Sequence, residues 1–419
     1  MAEPLLTATD VEAAATRVAP VVRRTPLDRN ERWSTRTGAQ VWLKREDLQV
    51  VRSYKLRGAF NLISQLGIDE QRHGVVCASA GNHAQGVAFS CEALGVPGRI
   101  FLPRTTPRQK RDRIAAFGGD RVTVIVTGDT YDDANEAALA DAASTGAVVV
   151  PPFDHLRTIA GQGTVAVEVL DQLGGHVPDV VVVPIGGGGL AAGMATWLRE
   201  RHPATRIVGV EPAGAASMAA SLRAGEPVTL DDLDGFVDGA AVKRVGDLTY
   251  AIVRDLVDEV VAVDEGSVCT EMLELYQVEG IVAEPAGALA TAALVEAVEV
   301  EPGQHVVAVV SGGNNDVSRY GEIVERSLIH EGLKHYFLVE FPQEPGALRG
   351  FLDDVLSETE DITLFEYVKK NNRETGPALV GIEIDQRTDL EPLLSRMAHS
   401  RLRITPVPPG SPLFTFLVS

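Results

Sequence analysis

Lys55 stands at the end of Trp42-Leu-Lys-Arg-Glu-Asp-Leu-Gln-Val-Val-Arg-Ser-Tyr-Lys55, just ahead of apolar Leu56, Ala59, Phe60, Ile63 and Leu66. Spacings of three and four predict a helix there. Ser53 reads as its N-cap, which puts Lys55 in the first turn. The positive end of a helix disfavours an ammonium, so an amine in that position is biased toward its neutral, nucleophilic form. Taken alone, the residue is more simply read as a solvated lysine.

Three turns and a carboxylate offer partners for it. Ser79-Ala-Gly-Asn-His83 lies between a strand-like and a helix-like segment. Its N–H groups can hold an anion such as a carboxylate, although an ordinary strand-to-helix turn reads the same way. His83 fits a satisfied histidine at a helix start better than a base, since Lys55 already supplies one. Pro184-Ile-Gly-Gly-Gly-Gly-Leu190 follows four valines. Four glycines let backbone approach a ligand, and the next helix start favours a phosphate. No GK[ST] follows, so this is not a P-loop. Ser311 opens Ser311-Gly-Gly-Asn314 after another apolar run, and by itself is a turn serine. Glu284, before Pro285, reads equally as a helix cap or a working carboxylate.

One rival shares these residues. Gly186-x-Gly188-x-x-Ala191, with Glu211 at the end of the next strand, fits a dinucleotide fingerprint and hence an NAD-dependent oxidoreductase. The βα units in front of it argue against a dinucleotide fold opening there. HExxH, GxSxG and His/Cys/carboxylate clusters are all missing, so no metal is expected and hydrolase chemistry has no support.

The elements that must position these residues follow a clear rhythm. Short β-branched runs at 75–78, 98–102, 122–126, 148–150, 180–183, 206–210, 260–263 and 306–310 alternate with helical stretches. Such runs predict parallel strands buried on both faces. The expectation is an α/β catalytic domain over residues 1–330, with a small sheet from about 45 to 150 inserted in a larger one. Sites in such folds lie at strand C-terminal ends, beside helix starts, and each turn above falls at such a place. Residues 331–419 change character. Strands at 335–341, 362–368, 377–384 and 413–418 and helices at 345–356 and 390–398 make a βαββαβ, ferredoxin-like α+β unit.

Composition excludes other classes. The chain has 419 residues, net charge −20 and pI near 4.9, which argues against a nucleic-acid surface. Cys77, Cys91 and Cys269 lack CxxC spacing and suit a reducing compartment. The first residues carry no basic region followed by a long apolar one, and no apolar run approaches the ~18 residues needed to span a bilayer. These features predict a cytoplasmic protein with no membrane partner.

Phosphate cradle, isolated lysine, carboxylate-binding turn and late serine together describe the needs of pyridoxal 5'-phosphate: an imine-forming amine, an anion site and a partner for the ring nitrogen. In order and wording, Lys44-Arg-Glu-Asp-Leu-Gln49 with Ser53-Tyr-Lys55-Leu-Arg-Gly-Ala59, then Ser79-Ala-Gly-Asn-His83, residues 186–190 and Ser311-Gly-Gly-Asn314 resemble the fold-type II pyridoxal-phosphate enzymes, within them the serine/threonine dehydratases. The resemblance spans about residues 20–325 and implies two parallel-sheet αβα subdomains. It implies that Lys55 forms the imine and later takes the α-proton, with Tyr54 beside it. Asn82 would bond the ring oxygen, and Gly186, Gly187, Gly188, Gly189 and Leu190 would hold the phosphate. Ser311 would face the ring nitrogen, Glu284 would join the cofactor contacts, and Ser79, Ala80, Gly81, Asn82 and His83 would hold the substrate carboxylate. A serine does not force the ring nitrogen to stay protonated, which favours β-elimination over transamination.

The C-terminal pattern resembles the single ACT-like domain of biosynthetic threonine dehydratases. That resemblance implies conversion of L-threonine to 2-oxobutanoate and ammonia, the committed step of isoleucine biosynthesis. It also implies feedback inhibition by isoleucine opposed by valine, effectors held near Pro345-Gly346, and a homotetramer. A domain that only assembles the oligomer is the plainer reading. A serine-directed dehydratase or racemase is the nearest alternative, and an amino-acid sensor without catalysis a more distant one. Relatives also suggest a cation near Glu211.

Overall fold

β-Branched runs build the sheets, and glycines let the helices between them lie close. The computed structural model describes residues 5–367, 374–409 and 411–414, and the chain divides into units at 1–315 and 316–419. Strands β1 (Leu27–Arg29) and β2 (Gln40–Arg45) come first. Then β3 (Val75–Ala78), β4 (Gly98–Leu102), β5 (Val122–Val126) and β6 (Val148–Val149) form a parallel sheet in the order β5-β4-β3-β6. Next, β7 (Val180–Pro184), β8 (Arg206–Pro212), β9 (Glu259–Val263) and β10 (His305–Val310) join the first two in the order β1-β2-β10-β7-β8-β9. Only β1 runs antiparallel. Val180 to Val183 and Val306 to Val310 are fully buried, so side chains on both sheet faces leave water. That is the condition under which a parallel sheet reads as a continuous apolar run.

The helix carrying Lys55 (Lys55–Ile63) is wedged between its neighbours. A Cβ on Gly161 would fall 2.4 Å from Arg57 O, and one on Gly86 would meet the Leu56 backbone at 3.0 Å. Only glycine admits that spacing. Beneath the wedge lies a buried charge cluster. Arg57 donates to Glu46 at 2.7 and 2.8 Å and to Glu168 at 2.7 and 3.0 Å, and Lys44 Nζ donates to Glu168 at 2.8 Å. Burial alone would raise the Glu46 carboxyl, yet Arg57 beside it holds it below the usual carboxylate range. Two cations meet two carboxylates, so no charge is left uncompensated.

The second unit opens with a helix, Tyr320–His330, whose Glu325 accepts from Tyr336 and Lys334. Strands β11 (Lys334–Pro342), β12 (Glu360–Tyr367), β13 (Thr375–Ile384) and β14 (Arg403–Pro406) form an antiparallel sheet in the order β12-β13-β11-β14. Helices Ala347–Val355 and Leu390–His399 complete the βαββαβ, ferredoxin-like order. Phe337, Val339, Phe341, Phe351, Val380, Ile382 and Leu393 form its core. The last strand among the described residues is β14, whose Arg-Ile-Thr-Pro shows little apolar alternation. Leu413 and Phe414 instead pack in a cluster with Tyr336, and 415–419 lie outside the described residues. Among the described residues no helix is long and apolar enough to cross a membrane.

Candidate active site

The chain reaches Lys55 through an unusual bend. Arg52 has φ of +57°, the one non-glycine residue among those described with positive φ, a conformation side chains disfavour. It turns Ser53 into a backbone bridge with Gly312, while Tyr54 N–H donates to Ser311 O at 3.2 Å and Gly313 N–H to Arg52 O at 2.9 Å. The end of β10 is thus stapled to the start of the Lys55 helix, which brings Ser311 and Lys55 together across the sequence. Ser53 is not the N-cap. Tyr54 takes that position without a side-chain bond, and the buried Ser53 Oγ has no partner among the described residues. Lys55 Nζ donates to Pro152 O at 3.0 Å. Burial pushes the ammonium down to about 8, against the opposing charge of Glu284.

β3 ends at Ala78 and Asn82 opens the next helix, Asn82–Leu94. Ser79 Oγ accepts from Gly81 N–H at 3.3 Å. The N–H groups of Ala80, Asn82 and His83 meet no acceptor among the described residues, so three donors at a helix start are left for an anion. His83 Nε2 donates to Val150 O at 2.7 Å. Burial and the nearby Lys55 charge push His83 down to about 3, so it is a neutral brace for this turn. Asn82 Nδ2 donates to Glu284 Oε1 at 2.5 Å, and Asn82 Oδ1 accepts from Asn314 Nδ2 at 2.7 Å. Glu284 precedes the helix Pro285–Glu296, with 5% exposure. Burial, with Asp238 adding to it, pushes its carboxyl up to about 7.

The glycine turn leaves β7 and enters the helix Gly189–Arg201, with Gly188 at φ +90°. Gly187, Gly188 and Gly189 are buried, yet the N–H groups of Gly186 through Leu190 find no acceptor among the described residues. Unpaired buried amides are costly, and five in sequence ahead of a helix make an anion cradle. The glycines also serve the protein. A Cβ on Gly187 would fall 2.2 Å from the Phe153 ring, one on Gly189 2.3 Å from Gln162 Oε1, and one on Gly186 2.9 Å from Ala240 Cα. Thr249 Oγ1 fixes the Gly187 carbonyl at 2.7 Å, leaving the amide edge for a ligand. Pro152, whose carbonyl meets Lys55, is followed directly by Phe153, which packs on the glycine turn. Ser311 Oγ donates to Ala286 O at 3.1 Å and keeps its lone pairs.

These residues form one cluster. Sequence reasoning missed Phe153, Thr249 and Ala240, none of which carries a local signal. Asn314 lay inside a quoted motif without a role. Glu211 does not join the site. Its two oxygens accept from Met218 N–H at 2.7 Å and Ala219 N–H at 2.8 Å, at 0% exposure, which removes the ribose-binding acid the dinucleotide reading needs. Among the described residues no group of three or more His, Cys, Asp or Glu could hold a metal.

A buried amide nest joined through one short segment to a lysine of lowered pKa fits an anionic, imine-forming cofactor, which defines the class as a pyridoxal-phosphate-dependent enzyme. The family described as pyridoxal-phosphate dependent enzyme matches residues 18–312, and the C-terminal regulatory domain of threonine dehydratase matches residues 325–417. The biosynthetic L-threonine dehydratase of Mycobacterium tuberculosis is 62% identical over 415 residues, covering 99% of this chain and 96% of its own. That of Bacillus subtilis is 51% identical over 401 residues, covering 96% and 95%. The chain belongs to the biosynthetic threonine dehydratase family. Among solved structures, a processed threonine deaminase from Solanum lycopersicum aligns with TM-score 0.73 and 38% identity over 78% of this chain and 96% of its own. Maize serine racemase aligns with TM-score 0.70 and 32% identity over 78% and 98%.

Proposed function

We propose that the protein converts L-threonine to 2-oxobutanoate and ammonia by β-elimination, at a site built around Lys55. The observation that carries the reading is the row of unpaired amides at residues 186–190, packed on Phe153 next to the Pro152 that meets Lys55. When bound there, pyridoxal phosphate supplies the electron sink that makes the α-proton of an amino acid acidic. The protein's own groups do the rest. The amides of Ala80, Asn82 and His83 orient the substrate carboxylate. Lys55, with its pKa drawn toward neutrality, accepts the α-proton. Asn82 would hold the ring oxygen, and Ser311, a neutral hydroxyl, would face the ring nitrogen without the fixed charge that would keep it protonated. Glu284 anchors Asn82, and Tyr54 and Phe153 shield the reacting atoms from water.

The natural product pair is tested by a keto-acid assay. Reconstituted enzyme should release 2-oxobutanoate from threonine, and Lys55→Ala should lower turnover by at least roughly 10³-fold. Serine, one methyl smaller, should be a poorer substrate by an amount worth about 1–3 kcal/mol. A kcat/KM favouring serine would reassign the substrate. The match of residues 325–417 to a regulatory domain supports isoleucine and valine as opposed effectors, acting on isoleucine biosynthesis. Three buried free cysteines support a reducing, cytoplasmic setting, and the family supports a homotetramer, which sedimentation would test.

A further inference from the structure

Asn82 presents its amide by way of a hydrogen-bonded chain whose direction is set outside the site. Arg113, on the helix Arg108–Gly118 beside the small sheet, donates from Nη1 to Asn314 Oδ1 at 2.7 Å. Asn314 Nδ2 then donates to Val51 O at 2.8 Å and to Asn82 Oδ1 at 2.7 Å. Asn82 Nδ2 in turn donates to Glu284 Oε1 at 2.5 Å.

An asparagine amide has nearly the same shape when its oxygen and nitrogen are exchanged, so packing alone does not choose its orientation. A guanidinium, which can only donate, and the Val51 carbonyl, which can only accept, break the tie together. Facing Arg113, Asn314 must offer oxygen, and its nitrogen then meets two acceptors. Facing that nitrogen, Asn82 must offer oxygen, and its own nitrogen turns toward Glu284 with one N–H still free. Glu284 is a weaker arbiter, since a buried carboxyl in its protonated form can donate as well as accept.

We infer that Arg113 is a positioning residue that acts through Asn314 to fix which face of the Asn82 amide meets the cofactor. This rests on the reading above in which Asn82 donates to the ring oxygen of pyridoxal phosphate. With the chain reversed, Asn82 would turn its carbonyl oxygen toward acceptors, and the ring oxygen would lose its donor.

The decisive variant is Asn314→Asp. It is isosteric and places a carboxylate against Arg113, but presents only acceptors to Asn82 and to the Val51 carbonyl. A merely structural role for Asn314 predicts that Asp is milder than Ala. The directional chain predicts the opposite order. Each variant is reconstituted, its visible cofactor absorbance recorded, its cofactor dissociation constant measured by tryptophan-fluorescence titration, and its fold checked by thermal unfolding without cofactor. Asn314→Asp, which also turns an acceptor toward the Val51 carbonyl, should keep a cooperative unfolding transition at a lowered temperature, bind cofactor roughly tenfold more weakly, as expected for one lost hydrogen bond to a charged partner, and show a redistributed absorbance. Asn314→Ala should fall between the two. Arg113→Leu should shift the spectrum in the same direction, and Arg113→Lys should restore part of it. An Asn314→Asp protein equal to or milder than Asn314→Ala, with an unshifted spectrum, overturns the inference while leaving the site reading intact. An unmodified protein that binds no pyridoxal phosphate overturns both.

Discussion

Lys55 differs from a surface lysine in its burial, which draws its ammonium down to about 8 against the opposing charge of Glu284. An amine attacks an aldehyde only when unprotonated. Attachment of pyridoxal phosphate to cofactor-free protein should therefore quicken as pH rises and level off above about 8. A rate still climbing toward 10.5, the ordinary lysine value, would show that the amine is not desolvated. Little of this was legible at Lys55 itself. Its neighbourhood comes from Pro152 and from the β10 end, both distant in sequence. The expected cap at Ser53 failed because the positive-φ bend at Arg52 commits Ser53 to Gly312 instead. Glu211 misled in the same way: the spacing fitted a ribose acid, but the carboxylate is spent on two backbone amides of a short helix that the sequence pattern had not announced.

Among the elements, the Lys55 helix and the glycine turn carry the argument. The helix is seated by Arg57, fully buried between Glu46 and Glu168. Arg57→Met should destabilise the protein by about 3–5 kcal/mol, because it strands the buried Glu46 carboxylate and leaves Lys44 alone against Glu168; chemical denaturation at neutral pH measures this, and a loss under 1 kcal/mol would mean that the cluster relaxes freely. In the turn, Gly187→Ala sets a methyl group against Phe153. Overpacking of this kind costs about 1–3 kcal/mol, and moving the ring distorts the amide row. Cofactor affinity should fall more than stability does, as paired titration and unfolding experiments would reveal. The parallel strands were legible because both faces are buried, which leaves unbroken valine runs. β14 was not, because a short strand ending at Pro406 carries less pattern than the apolar tail after it. Thr249 and Phe153 were invisible because their roles exist only after the chain has folded.

At the scale of the molecule, a catalytic unit of two parallel sheets is joined in sequence to an antiparallel ferredoxin-like unit. If the second unit senses the end product, isoleucine should raise the threonine concentration needed for half-maximal rate, and valine should reverse the shift. Initial rates across both titrations test this, and superimposable curves would contradict it. The whole account turns on the cofactor being carried by Lys55. Reducing the reconstituted protein with borohydride and sequencing its peptides by mass spectrometry tests that claim most directly. A single pyridoxyl-modified peptide with the label on Lys55 is the predicted result. A label on Lys44, on another lysine, or on none would contradict it.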